Sequence, residues 1–120
     1  MERSLRVLVV DDNEEARFCL KEQLETNGHV VVGEASNLAG TLEAYKKHQP
    51  QLVMLDLSLE KEDGLTILKA LRQEDPQACV CILSANEMKK VKEQAMSAGA
   101  RQFLVKPLEE ERLVAALNAL

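Results

Sequence analysis

Short, β-branched apolar runs alternate along the chain with longer segments of helical apolar spacing, and this alternation limits the possible folds most strongly. The first run, Val7 to Val10, is apolar on both faces, so a strand formed from it must be covered on both sides. In a β-α alternation this predicts a parallel sheet with helices above and below it. Five such units are too few for a barrel, which needs about eight. The sequence therefore predicts one open, doubly wound (βα)₅ domain over residues 1–120.

The predicted elements follow one another without an internal repeat or a linker. The predicted strands are Leu5–Val10, Val30–Glu34, Leu52–Leu55, Cys79–Leu83 and Gln102–Val105. The apolar stripes of the five predicted helices are Ala16, Cys19, Leu20 and Leu24; Leu38, Leu42 and Tyr45; Leu65, Leu68 and Leu71; Met88, Val91, Ala95 and Ala98; and Leu113, Ala116, Leu117 and Leu120. Gly99 follows the fourth stripe, which predicts a left-handed helix end there.

Composition argues against several classes of function. The net charge is −5 and Lys and Arg do not cluster, so we expect no nucleic-acid partner. No apolar run approaches the roughly 18 residues of a membrane span, and the N-terminus lacks the features of a signal peptide. We therefore expect a cytoplasmic protein without membrane contact. Cys79 and Cys81 lie on one face of a predicted strand, where they cannot easily pair, so we interpret them as reduced, small buried side chains.

Charged and hydroxyl side chains stand where four of the predicted strands end. They are Asp11 and Asp12 after the first strand, Asp56 after the third, Ser84 after the fourth and Lys106 after the fifth. The carboxyl ends of parallel strands share one edge of an open sheet, and ligands bind there at the point where the strand order reverses. We therefore expect three carboxylates, a hydroxyl and an ammonium group to meet at this edge.

This set of groups is typical of magnesium-dependent phosphoryl transfer. Neighbouring carboxylates repel one another unless a cation joins them, and oxygen ligands without His or Cys favour Mg²⁺. A metal ion, a lysine and a hydroxyl can stabilise a phosphoryl group in transfer, and an aspartate can act as its nucleophile. The first loop has no glycines and is acidic, so we do not expect this domain to hold a nucleotide donor.

Each group also has an ordinary structural interpretation. Asp11 and Asp12 could form a turn and helix cap, Asp56 could cap another loop, and Lys106 could be a solvated loop end. Ser84 could cap the fourth helix in competition with Asn86, Gly64 could form a turn before the third helix, and Phe103 could be plain core. These interpretations do not explain why complementary groups occur in all four loops at one edge.

Five motifs, in this order, resemble the receiver domain of two-component response regulators, the CheY-like family, over all 120 residues. They are Val9-Val10-Asp11-Asp12, Leu55-Asp56-Leu57, Gly64, Ser84-Ala85, and the run from Gly99 to Pro107. The resemblance implies a flavodoxin-like sheet with strand order 2-1-3-4-5 and five helices. It also implies that Asp56 accepts a phosphoryl group from a histidine kinase or a phosphotransfer protein.

The resemblance further implies a metal site. Asp12 would be a direct Mg²⁺ ligand and Asp11 a ligand partly through water. Asp56 and the backbone carbonyl of Ser58 would complete the protein's contribution.

The same resemblance implies a signalling switch that catalyses its own phosphorylation and slow dephosphorylation, and not a conventional enzyme. Ser84 and Lys106 would hold phosphoryl oxygens, and the Phe103 ring would follow Ser84. The signal would reach an output domain or target protein through the fourth helix, fifth strand and fifth helix. The Lys106–Pro107 peptide bond is expected to be cis.

Three residues depart from the family pattern. Glu60 replaces a frequent proline, Ser84 a threonine and Phe103 a tyrosine, and none of these changes removes a reacting group.

Three alternative functions are compared with this interpretation. The main alternative is a pseudo-receiver, which would be an interaction module without phosphorylation. A phosphatase of the haloacid dehalogenase type would need its nucleophile after the first strand, and a flavin carrier would need more aromatic residues.

Overall fold

The computed structural model describes residues 4–59 and 63–120, and in them strands and helices alternate as predicted. The strands are β1 (Arg6–Val10), β2 (Val30–Ala35), β3 (Leu52–Asp56), β4 (Val80–Ser84) and β5 (Gln102–Val105). The helices are α1 (Glu14–Thr26), α2 (Leu38–His48), α3 (Gly64–Glu74), α4 (Lys89–Ser97) and α5 (Glu110–Asn118). All neighbouring strands are parallel, in the order β2-β1-β3-β4-β5. The predicted fold class and strand order are confirmed. Glu60 lies outside the described residues.

The two faces of the sheet carry separate apolar cores, as strands that are apolar on both faces require. Side chains of α2, α3 and α4 cover one face, and Ile67, Leu68 and Leu71 of α3 are fully buried in this core. Leu24 of α1 and Leu113 of α5 pack on the other face. The two layers of helices hold the carboxyl ends of β1, β3, β4 and β5 together at one edge.

Strand boundaries differ from the prediction by a residue at several ends. Asp56 and Ser84 were expected after their strands, yet they are the last residues of β3 and β4. Backbone pairing continues past the apolar run, because the Leu57 N–H donates to the Leu83 carbonyl at 2.9 Å and the Lys106 N–H donates to the Ser84 carbonyl at 2.8 Å. The sheet therefore holds the backbone at both polar positions.

Two members of the predicted apolar stripes do not face the core. Cys19 of α1 is exposed, and Met88 is the residue before α4, with 62% of its surface exposed. Of the other two thiols, Cys79 is half-buried and Cys81 is buried. Burial raises the pKa of the Cys81 thiol to about 12, in keeping with a packing role.

Helix ends follow local polar chemistry. Asn13, Asn37 and Asp63 precede α1, α2 and α3, and the side chain of each accepts a backbone hydrogen bond from the first turn. Neither Ser84 nor Asn86 caps α4, which starts later than that interpretation requires. Gly99 has a φ of +103° at the end of α4, which confirms the predicted left-handed helix end.

A side-chain hydrogen bond joins α2 to α3 at the end of the sheet opposite the polar edge. The Tyr45 hydroxyl donates to Asp75 Oδ2 at 2.7 Å. Burial, and then this bond and the charge of Asp75, raise the pKa of Tyr45 to about 12. The same hydrogen bond lowers the pKa of Asp75. The neutral phenol and the charged carboxylate thus favour each other.

Because Tyr45 is the single tyrosine in the chain, phenolate absorbance reports its titration directly. We expect a native midpoint near pH 12, and a lower midpoint in Asp75→Asn, which removes the neighbouring negative charge. A folded pKa raised above the ordinary value of 10.0 means that this group stabilises the fold below pH 10. That contribution should be lost as the pH rises from about 10 to about 12. An unchanged midpoint in Asp75→Asn would contradict the assignment.

Candidate functional site

A lysine and two buried carboxylates form the centre of the polar edge. Lys106 Nζ lies 2.6 Å from Asp56 Oδ2 and 3.7 Å from Asp11 Oδ2. Asp56 is 4% exposed and Asp11 is 5% exposed, whereas about a third of the Lys106 side chain is open to solvent. The geometry places one ammonium group against two carboxylates that come from β3 and from the turn after β1.

The turn that follows each strand fixes one oxygen of each carboxylate. Asp56 Oδ1 accepts a hydrogen bond from the Ser58 N–H at 2.8 Å, and Asp11 Oδ1 accepts one from the Asn13 N–H at 2.9 Å. The second oxygen of each side chain is the one near Lys106. Both carboxylates are therefore oriented by backbone donors before any ligand binds.

The remaining predicted metal ligands border the same open cleft, which has a volume of about 470 Å³. Asp12 is half-buried and Ser58 is exposed at its edge. The complete lining is Asp11, Asp12, Asn13, Glu15, Ala16, Cys19, Asp56, Ser58 and Lys106. The structure thus gathers the predicted carboxylates, the predicted lysine and the residue of the predicted carbonyl ligand around one cleft.

The chemistry of this cleft fits a hard divalent cation. Its candidate ligands are carboxylate and carbonyl oxygens, which suit Mg²⁺. Burial is the main cause that raises the pKa of Asp11, and the nearby Asp56 carboxylate raises it further, so negative charge there is only partly compensated by Lys106. Among residues 4–59 and 63–120, no three His, Cys, Asp or Glu side chains converge closely enough to form a metal cluster. In this arrangement Lys106 contacts the carboxylates, and the candidate ligands border the cleft without meeting at one point.

Ser84 lies at the same edge but does not line the cleft. It is 1% exposed, and its Oγ accepts a hydrogen bond from the Asn86 N–H at 3.0 Å. The hydroxyl is also 3.4 Å from the Asn86 carbonyl, to which it donates. The hydroxyl is therefore bound to the loop before α4 in this conformation.

Phe103 is half-buried and packs against the core face formed by α2, α3 and α4. Its register partner is Ile82, and the register partner of Ser84 is Val105. Residues two apart in a strand share a face, so Phe103 lies diagonally beside Ser84 on one face of the sheet. This position suits both the core interpretation and the switch interpretation.

Two features of the site were missed in the sequence. Glu15 and Cys19, neither of which was predicted as a site residue, line the cleft. Arg17 donates from Nη1 to the Asp11 carbonyl at 2.6 Å, and no motif indicated this bond. The Lys106–Pro107 peptide bond is cis, as predicted.

Comparison with known proteins assigns the family. The family model described as "Response regulator receiver domain" matches residues 7–118. The chain belongs to the response regulator receiver domain family. Receiver domains of this family depend on Mg²⁺ in general.

Several relatives cover nearly the whole chain. It is 41% identical over 113 residues to the chemotaxis protein CheY of Bacillus subtilis, and 36% identical over 113 residues to that of Thermotoga maritima; each match covers 94% of both proteins. The virulence transcriptional regulatory protein PhoP of Salmonella typhimurium is 37% identical over 117 residues, which are 97% of this chain and 51% of PhoP.

Solved receiver structures share the fold closely. One is the CheX-CheY-BeF3-Mg+2 complex from Borrelia burgdorferi, with a TM-score of 0.90, 27% identity, and coverage of 95% of this chain and 87% of that one. A LuxR-family response regulator from Aurantimonas has a TM-score of 0.91 at 27% identity, covering 98% of this chain and 84% of that one. In the described part of this chain, no helix is both long and apolar enough to span a membrane.

Proposed function

We propose that this receiver domain accepts a phosphoryl group on Asp56 in a Mg²⁺-dependent reaction and uses it as a conformational switch. The observation that carries the proposal is the Lys106 ammonium, 2.6 Å from the buried Asp56 carboxylate, with Asp11 on its other side. A nucleophile, a fixed positive charge and further oxygen ligands share one cleft. These are the groups that transfer of a phosphoryl group to a carboxylate requires.

The proposed reaction assigns a role to each side chain. A carboxylate oxygen of Asp56 forms the new bond to phosphorus as the bond from phosphorus to the donor's imidazole nitrogen breaks, which leaves the imidazole with the electron pair. When bound by Asp11, Asp12, Asp56 and the Ser58 carbonyl, Mg²⁺ would neutralise charge on the transferring oxygens. Lys106 stabilises the acyl phosphate by moving from the carboxylate to a phosphoryl oxygen.

Ser84 connects this reaction to the conformational change. Its hydroxyl must give up its donation to the Asn86 carbonyl to donate to a phosphoryl oxygen. We infer that this movement repositions the loop before α4, and that the half-buried Phe103 ring adjusts with it on the same face of the sheet. The signal would then leave through α4, β5 and α5. Phosphorylation would shift a balance between existing states of the same fold.

The proposed partners follow from family membership. The phosphoryl donor would be a sensor histidine kinase or a phosphotransfer protein in the cytoplasm. The receiver would pass its signal to an output domain or to a separate target protein. The relatives include an example of each arrangement. The match covers 51% of PhoP, which is named a transcriptional regulatory protein. The Borrelia CheY was solved in complex with a separate protein, CheX. We propose no nucleic-acid contact for this domain. The presence of all five reacting groups argues against the pseudo-receiver alternative.

The switch can be tested with a phosphoryl mimic. Beryllofluoride with Mg²⁺ is expected to move amide NMR signals in the cleft and also in α4, β5 and α5, because Ser84 and Phe103 lie between the two regions. The same addition to Asp56→Asn should leave the α4, β5 and α5 signals in place. Shifts confined to the cleft loops of the wild type would refute the proposed signalling path.

A further inference from the structure

Arg17 of α1 connects the polar edge to strand β2. Its Nη1 donates to the Asp11 carbonyl at 2.6 Å, and its Nε donates to Glu34 Oε1 at 3.2 Å. The Arg17 side chain is 18% exposed, whereas that of Glu34 is 40% exposed. The guanidinium therefore bonds on one side to the backbone of the cleft and on the other to a carboxylate of the neighbouring strand.

The bond from Arg17 completes a set of hydrogen bonds around the Asp11 residue. The Asp11 N–H donates to the Ala35 carbonyl at 3.1 Å, and Asp11 Oδ1 accepts from the Asn13 N–H at 2.9 Å. The Asp11 carbonyl belongs to the peptide that leads into Asp12, so the donor at this oxygen sets the plane of that peptide. Arg17 thereby fixes the backbone from which both acidic side chains project.

We infer that Arg17, held in place by Glu34, is a positioning residue that orients Asp11 and Asp12 for binding a divalent cation. This inference rests on the proposed Mg²⁺ site and extends it to a pair of residues that does not line the cleft. A planar guanidinium with donors on two sides can bridge a carbonyl and a carboxylate at once, which a lysine could not do with the same geometry. Groups that orient metal ligands typically change metal affinity 10–100-fold when they are removed.

The direction of the change in Mg²⁺ affinity distinguishes a positioning role of Arg17 from a purely electrostatic one. Arg17 carries a positive charge close to a cation site, so its removal would strengthen Mg²⁺ binding if only long-range electrostatics mattered. If Arg17 positions the ligands, Arg17→Gln should instead weaken Mg²⁺ binding. These two outcomes lie on opposite sides of the wild-type dissociation constant.

The measurement is a Mg²⁺ titration of the unphosphorylated full chain, followed by amide NMR at constant ionic strength. We expect Arg17→Gln to raise the dissociation constant roughly 10-fold. The exposed pair Lys89 and Glu93, 3.8 Å apart on α4, supplies matched controls. Lys89→Gln and Glu93→Gln make the same changes in net charge and should leave the dissociation constant unchanged.

Substitution of Glu34 tests the same pair of residues from its other member. Glu34→Gln should also weaken Mg²⁺ binding, and the double variant with Arg17→Gln should bind no more weakly than Arg17→Gln alone, because the two residues act as one unit. Additive losses would contradict this coupling. Urea unfolding in chelator shows that each variant is folded, so the dissociation constants refer to the folded state.

The outcomes separate the inference from the function on which it rests. If the wild type binds Mg²⁺ and Arg17→Gln binds it equally well or more tightly, the positioning role is wrong while the metal site stands. If the wild type shows no saturable Mg²⁺ binding, the proposed metal dependence fails, and the inference fails with it.

Discussion

Asp56→Asn is expected to abolish phosphorylation of this domain completely. The substitution keeps the shape of the side chain and an oxygen for the Ser58 N–H, but it replaces the carboxylate that we propose as the nucleophile with an amide. Intact-mass measurement after incubation with acetyl phosphate and Mg²⁺ should show one added phosphoryl group on the wild type and none on the variant. Chelation of Mg²⁺ should also prevent labelling of the wild type, because the negative donor and the negative carboxylate, with Lys106 beside it, then repel each other without the charge of the metal ion to offset the repulsion.

A matched control is available in Asp63, which caps α3 and is exposed. Asp63→Asn keeps a good helix-capping residue and removes the same charge, so labelling should persist. Labelling of Asp56→Asn, or full labelling of the wild type in chelator, would sink the proposed mechanism.

Gly64→Ala is expected to destabilise the fold by about 1–3 kcal/mol, although alanine is the better helix former. Gly64 is the first residue of α3, and a Cβ added there would lie 2.7 Å from Leu57 Cα and 2.8 Å from the Asp56 carbonyl oxygen. Both contacts are with backbone, which cannot rotate away as a side chain can. The measurement is the free energy of unfolding from urea titration.

Gly40→Ala is the corresponding control within α2. A Cβ at Gly40 would be 3.1 Å from the side-chain oxygen of Asn37 and 3.8 Å from the Ala35 Cβ, so its nearest neighbours outside the backbone of α2 are side-chain atoms. A small movement of one side chain would be offset by the gain in helix propensity, so we expect stability within about 1 kcal/mol of wild type. If Gly64→Ala and Gly40→Ala changed the free energy of unfolding equally, the close approach of Gly64 to the end of β3 would not explain the need for glycine there.

The Gly64 contact also explains part of the family motif in physical terms. The close approach of α3 to Asp56 and Leu57 places the helix start directly against the end of β3. A glycine, which has no Cβ, allows the start of α3 to approach the end of β3 closely beside Asp56. The sequence interpretation placed Gly64 in a turn before the helix; the structure places it in the first helical position, with Asp63 as the cap.

The type and order of the elements, and the residues of the polar edge, follow from the apolar and polar patterns of the sequence alone. Apolar runs on both faces require a covered parallel sheet, and in such a sheet all the carboxyl ends lie on one side. Asp11, Asp56 and Lys106 could therefore be placed together without coordinates. Strand order came from the family resemblance, because periodicity carries no information about which strands are neighbours.

Which of these groups are in contact, and which side chains face the core, depends on how the elements pack against one another. Helical periodicity placed Cys19 and Met88 on apolar stripes, but both are exposed in the structure, because periodicity does not show where a helix begins or which neighbouring element covers each position. The contacts of Lys106 with Asp56 and of Arg17 with Asp11 and Glu34 join residues from different elements. Their distances depend on how the helices pack on the sheet, and local sequence patterns do not encode that packing.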